Sequence, residues 1–496
     1  MEIWFIIVGT LCLCAALKPL LDLLSHRTKP KHPPGPWTVP IIGNFLWLRK
    51  SLFDLNPILR NLNAKYGSIV SLPIGSRPNI FIRSHSLAHQ ALVQNGSIFA
   101  ARPPSQNAFS KQRAINSSTY GPFWRLLRRN LTSEILHPSR LNSYSSARKR
   151  VLKTLISNLK EQSESGKPIQ VLEHLRYAMF SILLFMSLGQ ELDEKVIQEA
   201  IQVQRLLISS INRYRILTFM PKLGKIIFQK LWKELIHLRT YHTNFFNSLI
   251  RARKEGNEKQ VASYVDTLFK LWIPEEGRNF NEEEIRALCS EFINAGTDTT
   301  ATVMEWIMAN LVKHQDIQEK LFSEIKGVVG LEEEISEKDL KKMPYLKAVV
   351  MEGLRLHPPL HFGLPHTVTE ESYVDGYVIP KNASVHFMIA EMGRDPQVWE
   401  NPMEFWPERF LSDGGEGFDI TGSREIKMMP FGAGRRICPG LNLALLHLEY
   451  FVANMVKEFK WVAVDGEEVD LSEKQEVAVM MKTPLRAHIS PRRILD

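Results

Sequence analysis

The chain has 496 residues, of which 44% are apolar and 23% charged, so it is long enough to bury a large core and has a globular composition. Four cysteines are too few for a disulfide-rich secreted fold. The net charge of +9 comes from scattered basic residues without the spacing of a nucleic-acid-binding motif, so we expect no nucleic-acid partner.

The N-terminus carries an apolar run that predicts a membrane anchor. Residues 3–17 are apolar or small, and after Lys18 a second patch at residues 20–24 extends the run toward the roughly 20 residues that span a bilayer. A cleaved signal peptide is the alternative, but its positive n-region is missing, because Glu2 is the only charged side chain before the run. Three basic residues follow it: Arg27, Lys29 and Lys31. The positive-inside rule therefore predicts a single-pass anchor with basic linker at residues 1–32 and a cytosolic body.

A proline-rich stretch follows the anchor. Residues 33–36 read Pro-Pro-Gly-Pro, and residues 37–44 add another proline and a glycine. Closely spaced prolines stiffen a backbone, so we predict a strut that fixes the orientation of the body relative to the bilayer. Because no further linker divides the chain, we expect residues 33–496 to form this hinge and one large domain.

Helical periodicity dominates the body, and β-prone runs are few. Runs at residues 66–74 and 79–83, separated by turn residues, predict a hairpin or two separate strands of a sheet. Runs at residues 374–379 and 384–389 predict a second strand pair. A period of 3.6 predicts helices at residues 123–136, 172–188, 194–211, 230–253, 282–313, 316–329 and 345–356. We therefore predict a mainly α fold with a small β portion.

A glycine-rich loop with one cysteine precedes the last apolar segment. Residues 430–440 read P-F-G-A-G-R-R-I-C-P-G. Proline suits the first turn of a helix, so we expect Cys438 at or just before a helix N-terminus, where peptide N–H groups favour a thiolate. Arg435 and Arg436 add positive charge. A buried cysteine that acts only as a small hydrophobe is the alternative, and no companion Cys or His lies at zinc-ligand spacing.

This loop resembles the haem-binding signature of the cytochrome P450 superfamily, F-x-x-G-x-R-x-C-x-G. The five matching positions are Phe431, Gly434, Arg436, Cys438 and Gly440. The resemblance implies that Cys438 is the proximal ligand of haem b iron and that Arg436 pairs with a haem propionate. Phe431 is expected to keep water from the sulfur, and the two glycines to let the backbone pass close to the haem. Thiolate ligation favours cleavage of the O–O bond.

Weak helix formers stand in the middle of the long predicted helix at residues 282–313. The run A-G-T-D-T-T begins at Ala295, and the Thr299 hydroxyl is expected to bond the carbonyl of Ala295 and to open the helix there. A kink in a surface helix is the alternative. In the superfamily this run borders bound oxygen. The resemblance implies that Ala295 and Gly296 give access, that Thr299 orders hydrogen bonds, and that Asp298 relays protons.

A carboxylate and two arginines predict a structural ion-pair triad. Glu352 and Arg355 lie one helical turn apart, a spacing that Glu283 and Arg286 repeat as a solvated pair. The later segment P-E-R-F resembles the one that supplies the superfamily's third member, here Arg409. We expect the triad to be buried beneath the haem and to be required for folding.

Two further motifs predict haem propionate contacts. Trp124 and Arg128 lie at i, i+4 on a predicted helix, and the resemblance directs both at a propionate, with a stacked surface pair as the alternative. His366 stands where relatives often carry arginine, so it is a third expected donor whose charge is open.

Partner and substrate sites are predicted only as regions. A basic patch is expected to dock an acidic electron donor, with solvated charge as the alternative: Arg125, Arg129, Lys427 and Arg435. By resemblance, the substrate pocket draws on four largely apolar segments: residues 102–120, 292–299, 360–364 and 477–481. Within them His361, Phe362 and two methionines are expected to shape an adaptable cavity.

The sequences of these motifs resemble those of plant A-type cytochromes P450. Residues 365–370 and 441–496 resemble family eighty-nine of that group. The resemblance implies a monooxygenase of the endoplasmic reticulum membrane that oxidises a lipophilic small molecule. Its expected redox partners are NADPH-cytochrome P450 reductase and cytochrome b5. The alternatives are a haem-thiolate isomerase or dehydratase, which tends to lose the acid-threonine pair, and a haem sensor or electron carrier, which needs no proton relay.

Overall fold

The computed structural model describes most of the chain. The described residues are 31–36, 52–74, 77–104, 112–214, 217, 221–256, 261–411, 418–476 and 478–492. The predicted anchor, except for its last two residues, lies outside these ranges, as does the second half of the predicted strut.

Fifteen α-helices form most of the described part of the chain. They are α1 (Leu52–Tyr66), α2 (His85–His89), α3 (Pro122–Glu134), α4 (Pro138–Asn142), α5 (Ser145–Glu164), α6 (Val171–Leu188), α7 (Glu194–Arg213), α8 (Pro221–Ile227), α9 (Gln229–Glu255), α10 (Tyr264–Lys270), α11 (Glu282–Lys313), α12 (Gln315–Val329), α13 (Pro344–Leu356), α14 (Ile389–Gly393) and α15 (Leu441–Glu458). All seven helices predicted from the 3.6-residue period are confirmed. The mainly helical fold class is therefore correct.

Short strands form the small β portion. They are β1 (Ile69–Ile74), β2 (Arg77–Ile82), β3 (Ile169–Gln170), β4 (Trp272–Ile273), β5 (Arg278–Asn279), β6 (His366–Thr367), β7 (Ser372–Val374), β8 (Tyr377–Ile379), β9 (Ser384–Phe387), β10 (Phe459–Ala463), β11 (Glu473–Gln475), β12 (Val479–Met481) and β13 (Arg486–Pro491). One sheet has the order β1-β2-β9-β6 and a second the order β10-β13-β3. The hairpin predicted at residues 66–83 is confirmed, with Val70 opposite Phe81.

The second predicted strand pair is wrong. Residues 374–379 are not one strand but contain a hairpin turn, because Asp375 and Gly376 adopt φ angles of 53° and 70° and Val374 pairs with Tyr377. Asp-Gly is a dipeptide typical of two-residue hairpin turns. Strand β9 pairs with β2 in parallel and with β6 in antiparallel orientation, so its partners are not its neighbours in the sequence.

Helix α11 runs through the core of the protein. It begins with a capping box in which Asn281 and Glu284 exchange hydrogen bonds, and its second half is buried. Close neighbours require glycine at two points. A Cβ at Gly296 would lie 2.8 Å from the Leu183 side chain of α6, and a Cβ at Gly353 of α13 would lie 2.4 Å from Ile307.

Helix α6 is apolar and long enough to cross a bilayer, the only such helix in the described ranges. Most of it is buried inside the protein, where it packs against α5 and α11. It is therefore a core helix and is distinct from the anchor predicted at the N-terminus.

The first half of the predicted strut lies directly on the β portion. Ser71 of β1 donates its backbone N–H to the carbonyl of Pro34 at 2.8 Å, and Val378 of β8 donates to Lys31 at 2.8 Å. A Cβ at Gly35 would lie 2.0 Å from the carbonyl oxygen of Ser71. Residues 31–36 therefore pack on the folded body over their whole length.

Candidate active site

The cysteine loop is closed by its own backbone. The N–H of Cys438 donates to the carbonyl of Phe431 at 2.8 Å. Gly432 and Gly434 have φ angles of 70° and 68°, and a Cβ at Gly434 would lie 1.9 Å from the carbonyl oxygen of Leu92. These two positions therefore require glycine. Helix α15 begins three residues after Cys438, so the cysteine lies just before the helix N-terminus, as the sequence predicts.

The charges near the sulfur include one from outside the loop. Burial raises the pKa of the Cys438 thiol, while the N–H of Gly440 and the guanidinium of Arg128 partly offset this effect. Arg435 donates to the hydroxyl of Tyr120 at 2.5 Å. The stabilisation of the thiolate by Arg435 and Arg436 stays a prediction, and Arg128 is an additional cation that the loop sequence did not indicate.

Arg436 binds three backbone carbonyls. It donates to Ala100 at 2.7 Å, to Ile115 at 3.0 Å and to Ser118 at 2.6 Å. Burial lowers its pKa to about 9, and the nearby positive charges of Arg102 and Arg128 contribute.

Two more arginines complete a cationic cluster with Arg436. Burial lowers the pKa of Arg102 to about 10 and lowers that of Arg128. The guanidinium of Arg128 makes no hydrogen bond to any described residue. Three partly desolvated cations close together favour an anionic ligand that is not part of the chain. Arg102 belongs to no motif, so the sequence indicated no such role for it.

Trp124 and His366, two of the predicted propionate contacts, have other partners in this structure. The indole N–H of Trp124 donates to the carbonyl of Ile115 at 3.1 Å, and Arg436 lies 4.4 Å from the Trp124 ring centroid. His366 Nδ1 donates to Phe99 at 2.7 Å. Because burial, with the nearby charge of Arg102, lowers the pKa of His366 to about 3, the ring is neutral and Nε2 is an acceptor.

Helix α11, which we call the distal helix, has the hydrogen bond that its sequence predicts. Thr299 Oγ1 donates to the carbonyl of Ala295 at 2.6 Å, and α11 stays helical throughout. Ala295 is exposed and Thr299 is half-buried, whereas Thr297 and Thr300 on other faces are buried. Gly296 faces Leu183, as described above, so its missing side chain allows helix packing. Of the two residues predicted to give oxygen access, only Ala295 therefore lies on the exposed face.

Asp298 is paired with an arginine that the sequence did not indicate. Its Oδ1 lies 2.9 Å from Nε of Arg176 on α6. Arg176 also donates to Glu173 at 2.8 Å and to the sulfur of Met480 at 3.3 Å. Because Glu173 is more than half exposed, this pair connects Asp298 with the protein surface.

The predicted triad is assembled and buried. Arg355 donates to both carboxylate oxygens of Glu352, at 2.7 and 2.8 Å, and both side chains are fully buried. Arg409 donates to Glu352 at 3.1 Å, as does the backbone of Trp406 at 2.9 Å. Arg355 also donates to three backbone carbonyls, of Gly393, Pro402 and Glu404.

Side chains of two predicted pocket segments, residues 360–364 and 477–481, contact other parts of the protein. Val479 donates its N–H to Pro359 at 2.8 Å. His361 pairs with Glu473 at 3.0 Å, and Phe362 packs edge-on against Phe81 at 6.0 Å between ring centroids. The methionines, Met480 and Met481, are buried in the main core. The adaptable cavity expected from these side chains stays a prediction; residues 105–111 and 477 of the predicted pocket lie outside the described ranges.

Two arginines of the predicted docking patch lie side by side. Arg125 and Arg435 are exposed and lie 5.6 and 5.4 Å from the ring centroid of Tyr120. Hydrogen bonds and charge from both lower the pKa of Tyr120. Arg129 is exposed and Lys427 is half-buried.

The described residues contain no cluster of three or more His, Cys, Asp or Glu side chains that holds a metal. A metal centre at Cys438 would therefore take its other ligands from a cofactor. A cysteine beside a cationic cluster fits haem, whose iron accepts a thiolate and whose propionates carry two negative charges.

The fold and this site define a haem protein of the cytochrome P450 class. A zebrafish cytochrome P450 structure with progesterone has a TM-score of 0.73 and 22% identity over 88% of this chain and 99% of its own, and one with abiraterone has a TM-score of 0.71. A family model described as Cytochrome P450 matches residues 33–489. The chain therefore belongs to the cytochrome P450 family, and its cofactor is haem iron.

The relatives narrow the assignment. The chain is 46% identical to Cytochrome P450 89A9 of Arabidopsis thaliana, over 99% of this chain and 98% of that one. It is 33% identical to Cytochrome P450 750A1 of Pinus taeda and 31% identical to a flavonoid 3'-monooxygenase of Arabidopsis thaliana, with more than 90% of this chain covered. The resemblance to plant family eighty-nine is confirmed, and these relatives support a haem monooxygenase.

Proposed function

We propose that this chain takes electrons from NADPH through a flavoprotein reductase and inserts one oxygen atom of O2 into a lipophilic small molecule. The observation that carries the proposal is the pairing of one cysteine, in a loop closed by its own backbone, with a distal helix that has both a threonine and a solvent-connected carboxylate. An isomerase or an electron carrier has no need of that second feature.

In this proposal the side chains around the haem bind and orient it. Cys438 would hold the haem iron as a thiolate, and Arg102, Arg128 and Arg436 would neutralise the propionates. The indole N–H of Trp124 would be a further donor once it leaves the carbonyl of Ile115. A bound thiolate-ligated haem supplies the reductive activation of O2. The Glu352, Arg355 and Arg409 triad is structural.

The distal residues move protons in this proposal. The Thr299 hydroxyl donates to Ala295 in the described state, and a small rotation turns it toward the open face of α11. Asp298 supplies protons when its pairing with Arg176 opens, because Glu173 links that arginine to solvent. Ala295 has no polar side chain, so it leaves the open face free for O2.

The partners follow from charge and from the predicted anchor. The exposed Arg125 and Arg435 are part of a basic surface that suits an acidic reductase and cytochrome b5. The anchor and basic linker predict single-pass insertion in the endoplasmic reticulum membrane with the catalytic domain in the cytosol.

The first experiment combines a spectrum with oxygen consumption. The reduced protein with carbon monoxide is expected to have the absorption of a thiolate-ligated haem, and Cys438→Ser to lose it while the fold remains. Retention of that absorption in Cys438→Ser would contradict the ligand assignment. O2 consumption that depends on reductase and substrate is expected for the wild type. Turnover of a hydroperoxide without reductase would instead favour the isomerase or dehydratase.

The substrate is approached by binding. Lipophilic compounds that enter the site are expected to shift the haem Soret band, because they change the surroundings of the iron. Relatives named as flavonoid 3'-monooxygenases make plant phenolics the first compounds to screen. Asp298→Asn is expected to leave the binding shift unchanged and to reduce turnover by about 100-fold, the contribution typical of a proton-transfer group.

A further inference from the structure

One short backbone segment connects the cysteine loop with the distal helix. The carbonyls of Ile115 and Ser118 accept hydrogen bonds from Arg436, as described above. The N–H groups of Ile115 and Asn116 in the same segment donate to Glu291 of α11, at 2.8 and 2.7 Å. Residues 112–118 are thus tied to both sides of the site.

Glu291 lies on the face of α11 where the chemistry is proposed. It precedes Ala295 by four residues, so these two side chains share a face, and Thr299, eight residues on, lies about 80° further around the helix. The Cα atoms of Glu291 and Ala295 are separated by about 6 Å along the helix axis. A segment bound to Glu291 therefore borders the open face beside Thr299.

A second contact ties the same segment to the start of α11. Arg113 pairs with Glu284 at 2.5 Å and with Glu276 at 2.6 Å, and its guanidinium lies 4.3 Å from the Phe123 ring centroid. This contact lies about two turns from Glu291. If the Glu291 contact opens, the segment can move beside the open face while Arg113 still holds its other end.

The environment of Glu291 is unfavourable for a carboxylate that serves stability alone. Burial raises its pKa to about 7, although the two backbone N–H groups and the charge of Arg436 oppose this. No Lys, Arg or His of the described ranges forms an ion pair with it. A half-buried carboxylate without an ion-pair partner costs free energy, so a role in positioning explains it better than a role in stability.

We propose that Glu291 is a positioning residue that holds residues 112–118 against the distal face of α11 and so limits the size of the molecules that enter. This inference rests on the proposed function, because it takes the open face of α11 as the place where substrate binds. Glu291→Ala removes both acceptors. Glu291→Gln retains one carbonyl acceptor, so its effect is expected to be intermediate.

The test measures ligand entry by size. Full-length haem-loaded protein is mixed rapidly with imidazole or with clotrimazole, a bulky azole, and the change of the Soret band gives the association rate constant. In Glu291→Ala the rate constant for clotrimazole is expected to rise about tenfold and that for imidazole to change less than about twofold. Glu283→Ala, which removes an exposed carboxylate from the same helix, is the control and is expected to match the wild type.

Two results would overturn the inference. One is an unchanged rate constant for clotrimazole in both Glu291 variants when the reduced-carbon monoxide absorption is intact. The other is an equal increase for both azoles, which indicates general loosening. If Glu291→Ala does not retain haem, the azole rate constants of Glu291→Gln are the test. Amide hydrogen exchange at Ile115 and Asn116 of that variant is measured with them and is expected to be faster than in the wild type. Size-selective entry without any O2 consumption would overturn the proposed function and leave the role of Glu291 intact.

Discussion

At the scale of single residues, burial determines the charge state of several side chains beside the distal helix. Glu305 is fully buried on α11; one of its oxygens accepts the N–H of Leu485 at 3.0 Å, and the other has no hydrogen-bond partner. Burial raises its pKa to about 7. His357, stacked on Trp306 at 4.1 Å, has its pKa lowered to about 4 by burial. Desolvation therefore favours the neutral form of both groups.

Glu305→Gln is expected to change the pH dependence of stability. The pKa is about 4.3 in an unfolded chain and about 7 in the folded protein. The stabilisation by proton uptake is therefore fully present below the unfolded value and is lost as the pH rises through 7. From about pH 5 to about pH 8, the free energy of unfolding of the wild type should fall by about 2 kcal/mol relative to Glu305→Gln.

Urea unfolding of both proteins at the two pH values measures this difference. Glu283→Gln, which replaces an exposed carboxylate on the same helix, is measured alongside as the control. A difference for Glu305→Gln that stays constant between the two pH values would contradict the prediction.

At the scale of elements, the contact between α6 and α11 depends on the absence of one side chain. Gly296→Ala would bring a Cβ to 2.8 Å from Leu183, which is buried with little room to move. Overpacking of this kind costs about 1–3 kcal/mol. We therefore expect Gly296→Ala to lower the melting temperature of the haem-loaded protein. In the double variant, Leu183→Ala is expected to relieve part of the overlap with the new Cβ.

Gly327→Ala is the matched control for this contact. Gly327 is also inside a helix, α12, but a Cβ there would meet no atom within 4 Å. The substitution should raise stability by about 0.5–1 kcal/mol, because alanine loses less conformational freedom on folding. Equal effects of the two glycine substitutions would argue against a packing requirement at Gly296.

Elements also mark where sequence patterns were sufficient and where they were not. The ends of the helices agree to within two residues, because apolar periodicity and local signals such as the Asn281 capping box operate over one or two turns. The error at residues 374–379 came from an Asp-Gly turn within an apolar run. The partner of β9 is β2, about 300 residues earlier, which no local pattern indicates.

At the scale of the whole molecule, the proline-rich stretch connects the predicted anchor with the β portion. Gly35→Ala would bring a Cβ to 2.0 Å from the carbonyl oxygen of Ser71. The backbone fixes the position of both atoms, so neither can rotate away. We expect residues 31–36 to leave β1 and β8 while the core stays folded. Limited proteolysis should then cut this stretch several times faster than in the wild type, and the haem absorption should be unchanged.

The comparison for Gly35→Ala is again Gly327→Ala, which adds a methyl group without a neighbour. Wild-type cleavage rates in Gly35→Ala would mean that the stretch keeps its contacts by a shift of β1. Loss of haem together with faster cleavage would mean that the stretch supports the core directly.

The amino-acid sequence by itself determined the family, the cysteine and the composition of the distal helix, because each of these depends on residues close together in the chain. Fixed spacing in a helix also aligned Thr299 with Ala295 and Glu352 with Arg355. Only the tertiary structure decided which charges surround those residues. The charge of Arg128, a residue about 300 positions earlier, lowers the pKa of the Cys438 thiol against the effect of burial.

Tertiary structure likewise paired Asp298 with Arg176 and Glu291 with the backbone of residues 115 and 116. These contacts join segments more than 100 residues apart, and they form only after helices α6 and α11 have packed. Their physical origin is the need to satisfy polar groups that packing has removed from water, a condition that no local pattern contains.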